Sequence, residues 1–166
     1  MDDEQQLRKD IKKAGHERVG MEEQGTTTLI DYLYKKVLRP HIVGPAFVYN
    51  YPKTMQPLAR QSDENPDIVE QFQVVVNGRE IIKAYSELVD PTVQLENFDE
   101  QAVALEKGDD EATSGDADFL LAMEYGMPCQ SGFGMGLERI LALLTQQDNL
   151  RDVIMFPLMK PERNEI

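Results

Sequence analysis

The chain has 166 residues, 41% of them hydrophobic, which is enough for one domain with a hydrophobic core. Its 30 acidic and 17 basic residues give a net charge of -13, which excludes a broad positive surface for a phosphate backbone. Any contact with nucleic acid is therefore local or lies on another segment. Cys129 is the only cysteine, which excludes an internal disulfide. The acidic start and the lack of an apolar run near the ~20 residues that span a bilayer predict a cytoplasmic protein without a membrane segment.

The first 25 residues form a polar segment, and we assign residues 26–166 to the main domain. Leu7, Ile11 and Ala14 recur at helical spacing within the polar segment, which predicts a short surface helix.

The main domain is expected to begin with a helix and a short strand. Thr26 to Thr28 supply a cap for the helix, and Pro40 ends it. Ala46 to Tyr49 favour a strand, and an irregular loop follows. The apolar face of the helix is formed by Leu29, Leu33 and Val37.

A tight hairpin is the clearest local pattern in the chain. Phe72, Val74 and Val76 alternate before Asn77-Gly78, and a second extended run continues from Glu80 to Leu88. Asparagine followed by glycine between alternating apolar residues is typical of a two-residue turn.

Two further helices are predicted after the hairpin. Asp90-Pro91 supplies an N-cap and a first-turn proline, and Asp116 caps the next helix, which ends at Gly126. An acidic loop, residues 108–115, separates them. Strands joined by a hairpin and flanked by helices predict an α+β domain with a mainly antiparallel sheet. The side chains expected to face inward are Leu95, Phe98, Ala102 and Leu105 in the first helix, and Phe119, Leu120 and Met123 in the second.

Alternation along the second hairpin strand predicts one core face and one polar face. The polar face either points to water or forms the floor of a pocket in which Glu87 attracts a cationic group and Tyr85 supplies a wall. Glu80 has the opposite parity, so it shares that pocket only if the strand bulges between positions 80 and 83 or if its side chain reaches around an edge. The core face comprises Ile82, Ala84, Ser86 and Leu88, and the polar face comprises Lys83, Tyr85 and Glu87.

A glycine-rich segment near the C-terminus leads directly into a helix. Glycines at 132, 134 and 136 remove side chains from one face and let a flat ligand or a phosphate approach the backbone. Arg139 adds positive charge in the first turn of the helix, which suits a phosphate or an adenine. A strand-to-helix turn with Arg139 in a surface ion pair is the alternative. The helix face carries Leu137, Ile140, Leu141 and Leu144.

Several short motifs, taken in order, resemble class II lysyl-tRNA synthetases. The resemblance runs from about Leu29 to Lys160, and its final glycine-rich motif resembles motif 3 of class II synthetases. The matching segments are Pro57-Leu58-Ala59, Asn77-Gly78-Arg79-Glu80-Ile81, Tyr85-Ser86-Glu87-Leu88, Gly108-Asp109-Asp110-Glu111-Ala112, Glu124-Tyr125-Gly126-Met127-Pro128, Gly134-Met135-Gly136-Leu137-Glu138-Arg139 and Arg151-Asp152-Val153-Ile154-Met155-Phe156-Pro157.

The resemblance implies the C-terminal part of a catalytic domain that joins lysine to ATP and transfers the lysine to tRNA(Lys). In that family the residues matching Arg139, Gly136 and Glu80 bind ATP, with Arg139 catalytic and Glu80 coordinating Mg²⁺. Those matching Tyr85, Glu87 and Gly134 line the lysine site.

Two positions depart from the family pattern. Gln73 stands where the family has a second glutamate that binds Mg²⁺, and Lys83 stands where the lysine pocket usually has asparagine. Loss of a carboxylate weakens a metal site, and a cation repels the ammonium of lysine. We therefore expect weakened or altered binding of the amino acid.

The sequence contains no match to the anticodon-binding barrel, motif 1 or motif 2 of that family. An enzyme fragment of this kind needs the missing N-terminal half, or a homodimer partner, and we expect it to be inactive alone. A non-catalytic module that binds a nucleotide or a partner, and a synthetase paralogue that lysylates a protein, are the competing hypotheses.

Overall fold

The computed structural model describes residues 4–17, 20–106, 112 and 114–160. Most of the acidic loop predicted at residues 108–115 lies outside them. The chain divides into two compact units, Met1–Gly134 and Met135–Ile166. Among the described residues, no helix is both long enough and apolar enough to cross a membrane.

Helices and one sheet make up the described part of the chain. The strands lie in the order β1-β2-β3-β4, and the first three pair antiparallel. The predicted α+β class with a mainly antiparallel sheet is thereby confirmed. The strands are β1 (Ala46–Pro52), β2 (Ile68–Val76), β3 (Arg79–Ser86) and β4 (Ser131–Met135), and the helices are α1 (Glu4–Lys13), α2 (Thr26–Tyr32), α3 (Pro91–Glu106), α4 (Ala117–Glu124) and α5 (Leu137–Leu144).

The N-terminal helix lies on the surface of the main domain and packs one side against it. Ile11 of α1 is buried in one apolar cluster with Met21 and Leu29, and Leu7 and Leu33 pack against this cluster. The predicted surface helix is confirmed, since most of its side chains are exposed and only its aliphatic stripe packs against α2.

Helix α2 begins differently from the prediction. Its N-cap is Gly25, which makes no side-chain hydrogen bond, and the threonines expected to cap it lie inside the helix. The chain continues from α2 through a wider π-helical segment, Leu33–Leu38, and a short 3₁₀ turn, Arg39–His41, that contains Pro40.

Both predicted aspartate caps are confirmed. The carboxylate of Asp90 accepts from the backbone N–H of Thr92 at 2.8 Å, directly before α3. The carboxylate of Asp116 accepts from the N–H of Phe119 at 3.0 Å, directly before α4. Each satisfies a donor that the first helical turn leaves without an intrahelical partner.

The buried face of α3 differs from the prediction. Gln94 and Asn97 are almost fully buried beside Phe98, whereas Leu95 and Leu105 are about half exposed and Ala102 is also exposed. The reason is a pair of hydrogen bonds. The side-chain amides of Gln94 and Asn97 both donate to the carbonyl oxygen of Pro57, at 3.1 and 2.9 Å, and this fixes the polar face of α3 inward.

The two faces of the sheet also exchange their expected roles. On β2 the buried side chains are Gln71 and Gln73 with their apolar neighbours, and these lie opposite Tyr85 and Lys83 of β3. Of the predicted core face, Leu88 is buried as expected, but Ile82, Ala84 and Ser86 border an open apolar groove of about 800 Å³. The prediction was wrong because segments outside the sheet cover the polar face. The groove is lined by Phe47, Tyr49, Phe72, Val74, Ile82 and Ala84, among others.

The hairpin turn is formed by Asn77 and Gly78, which have φ angles of 48° and 71°. These left-handed conformations match a two-residue turn and confirm the prediction. The N–H of Asn77 donates to the carbonyl of Val43 and that of Gly78 to the carbonyl of Ile42, so the turn is tied to the segment before β1. A Cβ atom on Gly78 would lie 3.1 Å from Cα of Pro40.

Gly78→Ala should lower the free energy of unfolding by about 1–2 kcal/mol, because alanine is strained at positive φ and its methyl group meets backbone atoms. Urea denaturation measures the change. Gly44→Ala is the matched control, since Gly44 has no atoms within 4 Å of the added methyl group and no positive φ. Equal stability of the two variants would contradict the turn geometry.

Candidate functional site

A β-bulge in β3 determines which side chains share the candidate site. Val74 pairs with Ile82, but Val75 pairs with Glu80, so Ile81 is an extra residue on this strand. The bulge reverses the parity of the strand and brings Glu80 to the face that carries Lys83. Of the two possibilities left by the sequence, the structure shows the bulge.

A pocket of about 270 Å³ lies over this face. It brings together three of the predicted residues: Gln73, Glu80 and Lys83. Tyr85, Glu87 and Gly134 do not line it. The other lining residues come from α2 and the π-helical segment that follows it, from β1 and the segment after it, and from α3; they include Thr27, Asp31, Tyr34, Lys35, Tyr51, Thr54, Met55, Gln56, Pro57 and Gln101.

Gln73 is held in place by a tyrosine from another element. The hydroxyl of Tyr34 donates to Oε1 of Gln73 at 2.8 Å, and the side chain of Gln73 is almost fully buried. The ring of Tyr34 also packs edge-on against Tyr51, with ring centroids 6.0 Å apart. Burial raises the pKa of the Tyr51 hydroxyl, so this wall of the pocket stays neutral.

Lys83 reaches into the pocket from the strand next to Gln73. Its Nζ donates to Oε1 of Gln56 at 2.7 Å and lies 5.7 Å from the centroid of the Tyr85 ring. Burial lowers the pKa of Lys83, the negative charge of Glu80 opposes this effect, and the positive charge of Lys35 adds to it. Lys35 itself forms an ion pair with Asp31 at 2.8 Å.

Tyr85 lies near the end of β3, and Glu87 directly follows this strand beside the residue that precedes the glycine-rich strand β4. Tyr85 packs against the buried cluster formed by Tyr51, Ala59 and Val69. The backbone N–H of Glu87 donates to the carbonyl of Gln130 at 3.0 Å. Burial raises the pKa of the Glu87 carboxyl. The pKa of the Tyr85 hydroxyl is also raised, mainly by burial and to a smaller extent by the negative charge of Glu87.

The glycine in contact with Glu87 is Gly132. A Cβ atom at Gly132 would lie 2.7 Å from Oε1 of Glu87, whereas Gly134 has no atoms within 4 Å of such a position. The first glycine of the motif is therefore the one that gives room to the carboxylate, and the resemblance had indicated the second for the lysine site.

Gly136 and Arg139 belong to the second unit. Gly136 is the N-cap of α5, and Arg139 lies in the first turn, with its side-chain carbons folded back over the glycine. A Cβ atom on Gly136 would lie 3.0 Å from Cδ of Arg139. Glycine at this cap therefore permits the observed direction of the guanidinium group.

The sequence matches a known protein family over most of its length. Residues 3–160 match the family model described as tRNA synthetases class II (D, K and N). The chain belongs to this family. The match includes most of the polar N-terminal segment, in agreement with the burial of Ile11 against Leu29.

The class II synthetase relatives include two proteins named lysine–tRNA ligase from strains of Porphyromonas gingivalis. Each is 44% identical over 160 residues, which cover 96% of this chain and 27% of the relative. A lysine–tRNA ligase from Christiangramia forsetii is 44% identical over 142 residues, covering 86% of this chain and 25% of that protein. The chain thus spans about a quarter of the length of these relatives.

The residues at the predicted magnesium position do not fit that ion. Among Gln73, Glu80 and Lys83 there is one carboxylate, and the amide oxygen of Gln73 already accepts a hydrogen bond. The side chain of Lys83 follows that of Glu80 along the same face of β3. Its ammonium group repels a cation. The described residues hold no group of three or more His, Cys, Asp or Glu side chains arranged to bind a metal.

Sequence patterns did not reveal Tyr34 and Gln56, the two residues that hold Gln73 and Lys83. Tyr34 lies 39 residues before its partner, and Gln56 lies 27 residues before Lys83. Neither stands in a motif, and only the packing of the segments around the sheet brings them to the site.

Tyr34→Phe should lower the free energy of unfolding by about 1 kcal/mol or more, because it leaves the buried oxygen of Gln73 without its donor while retaining the aromatic contact with Tyr51. Chemical denaturation measures the loss. Tyr49→Phe removes the same hydroxyl from an exposed position on the other face and should change stability by less than about 0.5 kcal/mol. Similar effects of both changes would argue against the Tyr34–Gln73 bond.

Proposed function

We propose that this chain forms the C-terminal part of the catalytic domain of a lysine–tRNA ligase. The observation that supports this most strongly is 44% identity to proteins of that name across 96% of the chain. In this proposal the complete enzyme activates lysine with ATP to lysyl-adenylate, transfers the lysine to tRNA(Lys), and works in the cytoplasm.

The chain's own residues would contribute position and charge. Arg139, Gly136 and Glu80 match the family's ATP-binding positions and would serve the nucleotide in the complete enzyme, with Arg139 acting on the phosphates. Tyr85, Glu87 and Gly134 would line the lysine site. The reaction is an in-line attack of the lysine carboxylate on the α-phosphorus, and fixed positive charge near the phosphates stabilises its transition state.

The rest of the site has to come from elsewhere, because the chain corresponds to about a quarter of its relatives. The partner in this proposal is the N-terminal half of such an enzyme or a homodimer partner that supplies motifs 1 and 2. Alone, the chain should not form lysyl-adenylate.

A second candidate is a non-catalytic module derived from a synthetase, which binds a nucleotide or a protein. The support for this candidate comes from two side chains in the pocket. Lys83 places an ammonium group beside Glu80. Gln73 provides an amide where the family has a carboxylate, and this amide accepts a hydrogen bond from Tyr34. Both features oppose binding of lysine and of a metal ion.

Complementation distinguishes the two candidates. The N-terminal part of the Porphyromonas gingivalis ligase, ending where this chain begins to align, is co-expressed with this chain, and lysine-dependent ATP–pyrophosphate exchange is measured. A ligase should give exchange, and Arg139→Ala should reduce it about 100-fold, the effect of removing one charge-stabilising group. Lys36→Ala, a change at an exposed cation, should leave it unchanged.

The relative's own two parts, split at the same point, provide the positive control. If they give exchange and the hybrid assembles without activity, the ligase proposal fails and the non-catalytic module takes its place.

A further inference from the structure

The ammonium group of Lys83 has defined neighbours in the pocket of about 270 Å³ that contains Gln73 and Glu80. Gln73 and Lys83 are direct cross-strand partners, and the bulge at Ile81 makes Glu80 the neighbour of Lys83 on the same face. Oε1 of Gln56 accepts from Nζ at 2.7 Å on one side, and the Tyr85 ring lies 5.7 Å away on another. An acceptor oxygen and an aromatic ring are both groups that stabilise a cation.

Among the described residues on this face, the formal charges next to the ammonium balance without an added ion. Glu80 contributes one negative charge, Lys83 contributes one positive charge, and Gln73 contributes none. Asp31, the second carboxylate among the described lining residues, is paired with Lys35 at 2.8 Å. A divalent cation would add two positive charges next to an existing ammonium and would find the oxygen of Gln73 already bonded to Tyr34.

We infer that Lys83 is the resident cation of this pocket and takes the place of a divalent metal ion. A phosphate-bearing ligand bound here would meet an ammonium fixed to the protein instead of a metal bridge. The choice of ligand rests on the proposed function, whereas the exclusion of the metal rests on the pocket alone.

Titration of the ¹⁵N-labelled full chain with Mn²⁺ tests the inference. Paramagnetic broadening of the backbone amide signals of residues 80–83 reports an ion in this pocket and separates it from weak binding elsewhere on an acidic surface. We expect no selective broadening in the wild type. The double variant Gln73→Glu/Lys83→Asn should bind at least about tenfold more tightly than the wild type, because it gains a carboxylate and loses the ammonium.

Gln73→Glu/Lys83→Arg is the matched control, since it adds the same carboxylate and retains a cation, and it should bind Mn²⁺ about as weakly as the wild type. Lys83→Asn alone serves if the double variant does not fold, and it should also gain binding. The inference is overturned if the wild type shows selective broadening of residues 80–83, if Lys83→Asn gains nothing, or if the arginine variant binds as tightly as the asparagine variant. None of these results depends on ligase activity, so a failure here is distinct from a failure of complementation.

Discussion

The extra residue at Ile81 sets the direction of the side chains at the start of β3. In a regular antiparallel pair, successive side chains alternate between the two faces of the sheet, and Glu80 and Lys83 would lie on different faces. With the bulge, Val74 pairs with Ile82 instead of Ile81, so that Lys83 lies opposite Gln73 on the face that also carries Glu80. The charge pattern of the pocket, and with it every argument about metal and lysine binding, depends on this single irregularity.

Polar side chains lie on a buried face of the sheet, where hydrogen-bond partners offset the cost of burial for most of them, although the amide of Gln71 has none. Tyr34 donates a hydrogen bond to Gln73, and Gln56 accepts one from Lys83. On the same side of the molecule, Gln94 and Asn97 bind the carbonyl of Pro57. The segments that cover the sheet are therefore fixed by directional hydrogen bonds, and this explains why apolar periodicity identified the wrong face as core.

Much of the fold followed from local rules. The hairpin rests on Asn77 and Gly78, whose left-handed conformations are a property of these residue types, and the starts of α3 and α4 rest on Asp90 and Asp116. These features depend on residues a few positions apart, which is why the sequence was sufficient to predict them. The threonines before Leu29 show the limit, since capping residues also occur inside a helix.

The candidate site was predictable only in part, because its contacts join distant segments. Motif resemblance identified Glu80, Lys83 and Gln73, and the structure brings these three together. The roles of Tyr34 and Gln56 could not be inferred, since their contacts to the site residues span 39 and 27 residues along the chain. Which glycine lies against Glu87 depends on the placement of β4 beside the end of β3, and that placement made Gly132 the neighbour.

The register of the β2–β3 pair is the measurement that tests the central claim most directly. Cross-strand nuclear Overhauser effects in the labelled protein should connect Val74 with Ile82 and Val75 with Glu80. Contacts between Val74 and Ile81 and between Gln73 and Ile82 would instead show a regular ladder from the Asn77-Gly78 turn, with Lys83 on the opposite face from Glu80. That result would contradict the account of the pocket.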